Sequence, residues 1–127
     1  MKKKLISIQI NVPIEKLFEY TINPKHTNLW FDSIEKEWIE WDKKIDIWVI
    51  YKNQRKNWII CSYKLINFEK NKIFHLKSLD SDIEVIYYYS KVDGEKSKLD
   101  YYLNSNDSEL IIYIKKALEK LKNILEN

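Results

Sequence analysis

Apolar and polar residues alternate along most of the chain, and this alternation predicts an antiparallel sheet. At positions 4–12, Ile and Val residues occupy every second place, which is the period-2 pattern of a half-buried strand. From position 34 to position 104 the alternation continues, with turn-forming residues between its segments, and indicates six more strands. The chain is therefore expected to contain seven strands.

Two short helices are expected between the first and second strands. Pro13 suits the first turn of a helix, and the apolar side chains that follow it are spaced three and four residues apart as far as about Tyr20. Asn23-Pro24 then breaks the chain, and residues 25–30 are predicted to form the second helix.

The loop lengths between the predicted strands fix which residues face each other, since loop length sets the register of a hairpin. The predicted loops are 42–44, 53–57, 70–71, 79–82 and 93–95, with Gly94 in a left-handed conformation. The resulting inner-face pairs are Ile39 with Ile47, Trp41 with Ile45, Tyr51 with Ile59, Val49 with Cys61, Ile47 with Tyr63, Leu65 with Leu76, Leu76 with Val85, Phe74 with Tyr87, Val85 with Leu103, Tyr87 with Tyr101, and Tyr89 with Leu99. A two-residue turn at Gln54-Arg55 is an alternative, and it would turn Trp58 and Ile60 inward.

A long amphipathic helix is predicted at 108–126. Asn106, Asp107 or Ser108 can cap its first turn, because their side-chain oxygens accept hydrogen bonds from free backbone N–H groups. Its apolar residues form a continuous stripe at helical spacing: Leu110, Ile114, Ala117, Leu118, Leu121 and Leu125. This stripe is expected to cover the inner face of the sheet.

The order of elements resembles the START-like (SRPBCC) superfamily, and three segments add to the resemblance. The strand, proline step and helix that open that family are similar to INVPIEKLF at 10–18, and its D-P-x-x-x-x-x-W segment is similar to Asn23-Pro24 followed by Asn28-Leu29-Trp30. A middle strand, acidic turn and next strand of its polyketide-cyclase-like and chaperone-activator-like branches resemble YKLINFEKNKI at 63–73.

The resemblance implies an α+β helix-grip fold, in which a seven-stranded curved antiparallel sheet wraps around the C-terminal helix. It also implies a hydrophobic cavity between sheet and helix. Members of the superfamily carry apolar ligands, act as enzymes or bind chaperones, and the fold alone does not choose among these roles.

Composition and charge narrow the classes of function. The net charge of +3 is small and the lysines are scattered, apart from a run at positions 2–4 that we interpret as a solubilising N-terminus, so nucleic acid is not an expected partner. Cys61 is the single cysteine, which excludes an intramolecular disulfide. No apolar run approaches the ~20 residues of a membrane span. We expect one cytoplasmic domain covering 1–127, with no cofactor.

Large rings on the predicted inner face are the main candidates for a site. The predicted ligand-binding residues are Trp41, Tyr51, Tyr63, Phe74, Tyr87, Tyr89 and Tyr101. Buried tyrosine hydroxyls need partners, because an unpaired one costs about 1–3 kcal/mol. They can be satisfied within a packed core, or they can line a pocket for an apolar or aromatic small molecule. Non-catalytic binding is our first hypothesis, and a cyclase- or hydrolase-like enzyme that uses these hydroxyls is an alternative.

The predicted outer face carries a different signal. Trp48 and Trp58 lie there with Ile50 and Ile60, and exposed tryptophans of this kind indicate a partner surface, either chaperone-linked or a homodimer contact.

The remaining polar candidates are interpreted more simply. His75 is predicted on the outer face beside Ile66, His26 in a loop, and Cys61 inward in mid-strand as an unreactive thiol. The acidic residues near the second strand are interpreted as a solvated face; they are Glu35, Glu37, Glu40 and Asp42. No metal site is expected from two distant histidines.

Overall fold

A computed structural model describes residues 4–127, so that Lys2 and Lys3 of the basic run lie outside the described residues. The described chain contains one seven-stranded antiparallel sheet, in the order β1-β7-β6-β5-β4-β3-β2. Its elements are β1 Lys4–Ile10, α1 Ile14–Ile22, α2 Thr27–Trp30, β2 Ile34–Ile39, β3 Ile50–Arg55, β4 Ile60–Glu69, β5 Ile73–Ser78, β6 Glu84–Lys91, β7 Ser97–Leu103 and α3 Ser108–Glu126. The predicted fold class is confirmed: seven antiparallel strands, two short helices after the first strand, and a long C-terminal helix.

The two short helices form where the sequence predicts them. Pro13 precedes α1, which runs to Ile22, two residues beyond the predicted end at Tyr20. A single 3-10 turn over Pro24–His26 then leads into α2. Because the side-chain oxygen of Asn23 accepts a hydrogen bond from the Lys25 N–H, at 3.0 Å, this residue both breaks α1 and starts the next turn.

The predicted registers of β5, β6 and β7 are confirmed. Leu76 pairs with Val85 and Phe74 with Tyr87 across β5 and β6, and the next hairpin pairs Tyr87 with Tyr101. Tyr87 therefore lies between an aromatic ring on each neighbouring strand, with ring centroids 5.3 Å and 5.1 Å away. These three rings form the aromatic centre of the inner face.

The predicted registers of β2, β3 and β4 are wrong. Tyr51 pairs with Ile39 and with Tyr63, whereas the predicted partner on β4 was Ile59, four residues earlier. Residues 40–49 form an irregular connection in place of a three-residue loop, and the β3–β4 turn covers 56–58 in place of 53–57 or a turn at Gln54-Arg55. Both pairings put the same alternating side chains on the same face, so alternation could not distinguish registers that differ by an even number of residues.

Two predicted turns also differ in detail. Leu65 pairs with Leu76 as predicted, but the β4–β5 turn contains three residues, with Asn71 at φ 60°, and a bulge before Asn67 restores the register. Gly94 does not have a positive φ. Its turn is held instead by the Asp93 carboxylate, which accepts a hydrogen bond from the Glu95 N–H at 2.8 Å.

Helix α3 packs on the inner face through its predicted stripe. Asp107 caps it by accepting hydrogen bonds from the N–H groups of Glu109 and Leu110. The buried residues of the helix are Ile114, Ala117, Leu118, Leu121 and Leu125. Within residues 4–127, none of the helices combines the length and apolar content that a membrane span needs.

The two ends of α3 meet different parts of the protein. Its C-terminal half closes against β1, where the Lys122 ammonium donates to the Gln9 carbonyl at 2.9 Å and the Glu126 carboxylate accepts from the Asn11 N–H at 2.8 Å. Its N-terminal half faces the sheet across a pocket, and the helix also contacts α2. The space beneath this N-terminal half is where a site can form.

Candidate functional site

A pocket of about 480 Å³ lies between the sheet and the N-terminal half of α3. Its floor comes from β2 to β7, and its roof comes from α3 together with residues from the two short helices. The volume falls within the range of roughly 300–1,000 Å³ that small-molecule sites occupy. The lining is largely apolar and aromatic, and it includes Phe31, Leu76, Val85, Leu103 and Ile114.

Five of the seven predicted ligand-binding residues line this pocket, namely Tyr51, Tyr63, Phe74, Tyr87 and Tyr101. Tyr89 is buried behind the lining, where its hydroxyl lies 2.6 Å from the Thr21 hydroxyl. Trp41 is in the irregular 40–49 connection and is 80% exposed, so its predicted inward orientation is wrong.

Three tyrosines of the pocket wall are buried. The Tyr51 hydroxyl donates to the Ile22 carbonyl at 2.8 Å and holds the end of α1 against β3. Tyr87 and Tyr101 line the same pocket. Burial raises the pKa of both phenols, which keeps them protonated at neutral pH as hydrogen-bond donors.

One carboxyl group reaches the pocket from β2. The Glu37 carboxyl accepts a hydrogen bond from the Thr27 hydroxyl at 2.6 Å and a longer one from the Asn53 amide at 3.4 Å. Both donor residues are buried. Burial of the carboxyl raises its pKa to about 7, and the two hydrogen bonds limit the rise. Glu37 is therefore the group of the pocket whose charge changes near neutral pH.

The prediction of a solvated acidic face is wrong for Glu37. Glu35 is exposed and Glu40 forms an ion pair with Lys52 at 2.9 Å, whereas Glu37 lines the pocket. The signal was present in the sequence, because Glu37 has the same parity on the strand as Ile39, which was predicted to face inward. A carboxyl group among large apolar residues of one face is the feature that would have identified it.

Asn53 is the second buried polar side chain of the pocket. It is 3% exposed, and its side-chain oxygen has no hydrogen-bond partner among the described residues. An unpaired buried acceptor is rare in folded proteins and calls for a partner from water or ligand. Asn53 and Glu37 are paired across β2 and β3, so their acceptor oxygens belong to one polar corner of the pocket.

Charged groups complete the lining. Arg55 lies beside Tyr63 and Cys61, and Asp107 and Glu109 contribute from the start of α3. The Tyr113 hydroxyl of α3 lies 2.6 Å from the Ser33 hydroxyl, which joins the roof to the loop before β2.

The two tryptophans predicted as a partner surface are both exposed, Trp48 by 60% and Trp58 by 80%. They lie at opposite ends of β3, however, since Trp48 precedes the strand and Trp58 is in the turn after it. Trp48 is covered on one side by the Lys64 ammonium, 5.1 Å from its ring centroid. Ile60 lies beside Trp58 and is also exposed.

The two histidines lie outside the pocket lining. His75 is on the outer face as predicted, but it is half-buried, opposite Asn67 because of the bulge, and its ring nitrogen is 2.8 Å from the Glu84 carboxylate. His26 stacks on Tyr20 with ring centroids 4.1 Å apart. Among residues 4–127, no group of three His, Cys, Asp or Glu side chains is placed to hold a metal ion.

Comparison with known proteins identifies the fold. No family model and no curated protein matches the sequence. Solved structures do match over nearly the whole chain. Major latex-like protein 151 from Panax ginseng has a TM-score of 0.79 at 7% identity, and the match covers 99% of this chain and 98% of that one. The Aha1 dimer from Colwellia psychrerythraea has a TM-score of 0.71 at 17% identity, covering 99% and 97%.

The chain has the helix-grip fold. A third match, the protein XoxI from Bacillus cereus, has a TM-score of 0.79 at 9% identity and covers 98% of this chain and 96% of that one. At identities of 7–17%, these matches establish the fold of the chain. The function proposed below rests on the residues that line the pocket.

Proposed function

We propose that this chain binds one apolar or aromatic small molecule, without transforming it, in the pocket between the sheet and α3. The observation that carries the proposal is the pocket itself, about 480 Å³ in volume and walled by aromatic rings. A core closed by its own side chains would have no room for a ligand. Sites of this size usually combine apolar walls with a few polar groups that set the orientation of the ligand.

Two phenols of the lining support binding over simple packing. Tyr87 and Tyr101 line the pocket, and burial keeps their hydroxyls protonated. Such hydroxyls are hydrogen-bond donors that can orient a ligand carrying an acceptor. The proposal agrees with the members of the START-like superfamily that carry ligands, and it does not require this chain to belong to a particular branch.

Titration with a neutral apolar dye, N-phenyl-1-naphthylamine, tests the proposal. Its fluorescence should rise saturably with a stoichiometry near one. Ile83→Trp adds a ring to the pocket wall and should weaken binding about tenfold, which is 1.4 kcal/mol and typical of overpacking. Leu79→Trp is the matched control, because Leu79 is exposed in the same loop. An absence of saturable binding would contradict the proposal.

A second candidate function is protein interaction through the β3–β4 turn, which one observation favours. Trp58, Ile59 and Ile60 are 80%, 56% and 52% exposed in one continuous segment. Exposed apolar clusters of this kind mark association sites. Because the similar Aha1 structure is a dimer, a second copy of this chain is the partner to test first.

Sedimentation equilibrium tests this second candidate. Wild-type protein should dimerise as its concentration rises, and Trp58→Gly should remain monomeric, since it removes the indole while suiting a φ of 72°. Trp41→Gly is the matched control, because Trp41 is equally exposed at a φ of 63° and lies outside that segment. A wild-type protein that stays monomeric throughout would contradict self-association.

A further inference from the structure

The net charge of the pocket lining is opposite in sign to the net charge of the whole chain. The lining contains three carboxylates, Glu37, Asp107 and Glu109, and one cationic group, Arg55. The chain as a whole carries a formal net charge of +3. An acidic cavity in a basic protein attracts positively charged groups, because apolar walls focus the field of the charges that line them.

Glu37 lacks a cationic partner within the part of the chain that the structure describes. Its carboxyl contacts Thr27 and Asn53, both of them neutral, and no ammonium or guanidinium group lies within 4.0 Å of it. Arg55 is directed toward Tyr63 and Cys61 instead. Glu37 is half-buried, so its ionised form is partly removed from water and lacks the cationic partner that would stabilise it.

The unpaired Asn53 oxygen is an independent second observation. Asn53 is almost wholly buried and lines the same pocket, and its amide group donates toward Glu37, which leaves its oxygen free to accept. The polar corner therefore offers carboxylate and amide oxygens that the Arg55 guanidinium of the same lining does not contact, although the Nε–H of Arg55 is itself unpaired among the described residues. A group that carries several N–H donors and a positive charge satisfies both.

Resting on the binding function proposed above, we infer that the ligand is an apolar or aromatic amine whose ammonium group binds Glu37 and Asn53. The ammonium would donate to the Glu37 carboxylate and to the Asn53 oxygen. The rings of Tyr51, Phe74 and Tyr87 line the same pocket and suit both an aromatic ligand body and a nearby cation.

The groups that face the polar corner determine its pH dependence. They are Thr27 from α2, Tyr51 and Asn53 from β3, Tyr63 from β4 and Tyr87 from β6. The Arg55 guanidinium lies beside Tyr63 in the same lining. Burial raises the pKa of the three phenols above 10, so they stay neutral between pH 6 and pH 8. Because the pKa of Glu37 is about 7, this carboxyl is mostly protonated below neutral pH. It must release that proton when an ammonium group binds.

A matched pair of probes tests the inference, 1-naphthylmethylamine against 1-naphthylmethanol, with binding measured by calorimetry. At pH 8 the amine should bind at least about tenfold more tightly than the alcohol. Glu37→Gln should weaken the amine by roughly thirtyfold, as expected when one partner of a buried charge pair is removed, and should remove the preference for the amine over the alcohol. Glu35→Gln, exposed on the same strand, is the control and should change neither.

The wild-type protein provides a test that does not depend on any variant. Amine affinity should fall about tenfold from pH 8 to pH 6, because Glu37 must lose its proton to bind the cation, while alcohol affinity should not change. If the alcohol or 1-naphthoic acid binds as tightly as the amine, the inference is overturned and the proposed function stands. If no probe binds, both are overturned.

Discussion

Replacing Leu121 with alanine is expected to lower the free energy of unfolding by about 2–5 kcal/mol. Leu121 is completely buried at the centre of the α3 stripe, and truncation of such a residue loses both its burial and the packing around the cavity it leaves. Urea denaturation followed by circular dichroism measures the change.

Ile112→Ala is the matched control for this variant. Ile112 is also an aliphatic residue of α3, but it is 54% exposed. The same truncation should therefore change the free energy of unfolding by less than about 0.5 kcal/mol. Equal losses at the two positions would mean that α3 does not pack on the sheet through the Leu121 side.

Glu37→Gln is expected to change stability in a strongly pH-dependent way. Folding raises the pKa of Glu37 from 4.5 to about 7, so the folded protein holds this proton more tightly than the unfolded chain does. The wild-type protein therefore loses stability as pH rises from about 4.5 to 7, while the glutamine variant carries no such proton. Relative to wild type, the variant should gain about 3 kcal/mol between pH 4 and pH 8.

Denaturant unfolding at several pH values measures this difference. Glu35→Gln serves as the control, because Glu35 is exposed on the same strand, and its effect on stability should stay within about 0.5 kcal/mol. A Glu37→Gln variant whose stability relative to wild type is the same at pH 4 and pH 8 would show that the carboxyl is not buried as described.

Much of the fold could be predicted because its signals are local. Apolar residues recur at every second position in β1 and about every 3.6 positions in α3, because these are the side chains that become buried. The registers of β5, β6 and β7 followed from short loops, since a loop of three or four residues leaves few ways to pair its strands.

The pairing of β2 with β3 could not be predicted for a physical reason. Residues 40–49 continue the alternation of the neighbouring strands, yet Trp41 and Trp48 adopt positive φ values of 63° and 75°. Bulky residues rarely adopt such angles, so no local preference in the sequence indicates them. The pocket residues Tyr51 and Tyr63 were still placed on the correct face, because the error was four residues and therefore even.

The polar corner of the pocket was missed for a different reason. Acidic residues near a strand are usually solvated, as Glu35 is, whereas Glu37 lines the pocket and contacts Thr27 and Asn53. Those contacts join α2, β2 and β3, which are brought together by tertiary packing. A sequence pattern can assign Glu37 to a face, but it cannot supply the two donors that hold it.

Nuclear magnetic resonance of the protein with N-phenyl-1-naphthylamine tests the central claim most directly. It shows where the dye binds, whereas the titration gives only its affinity and stoichiometry. Intermolecular contacts are predicted from the dye to Phe74 and Tyr87 on the sheet and to Ile114 on α3, all within one bound complex. Contacts to both layers would place the ligand between them. Contacts confined to Trp48, Trp58 or other outer residues, with none to Tyr87 and Ile114, would contradict a ligand pocket beneath α3.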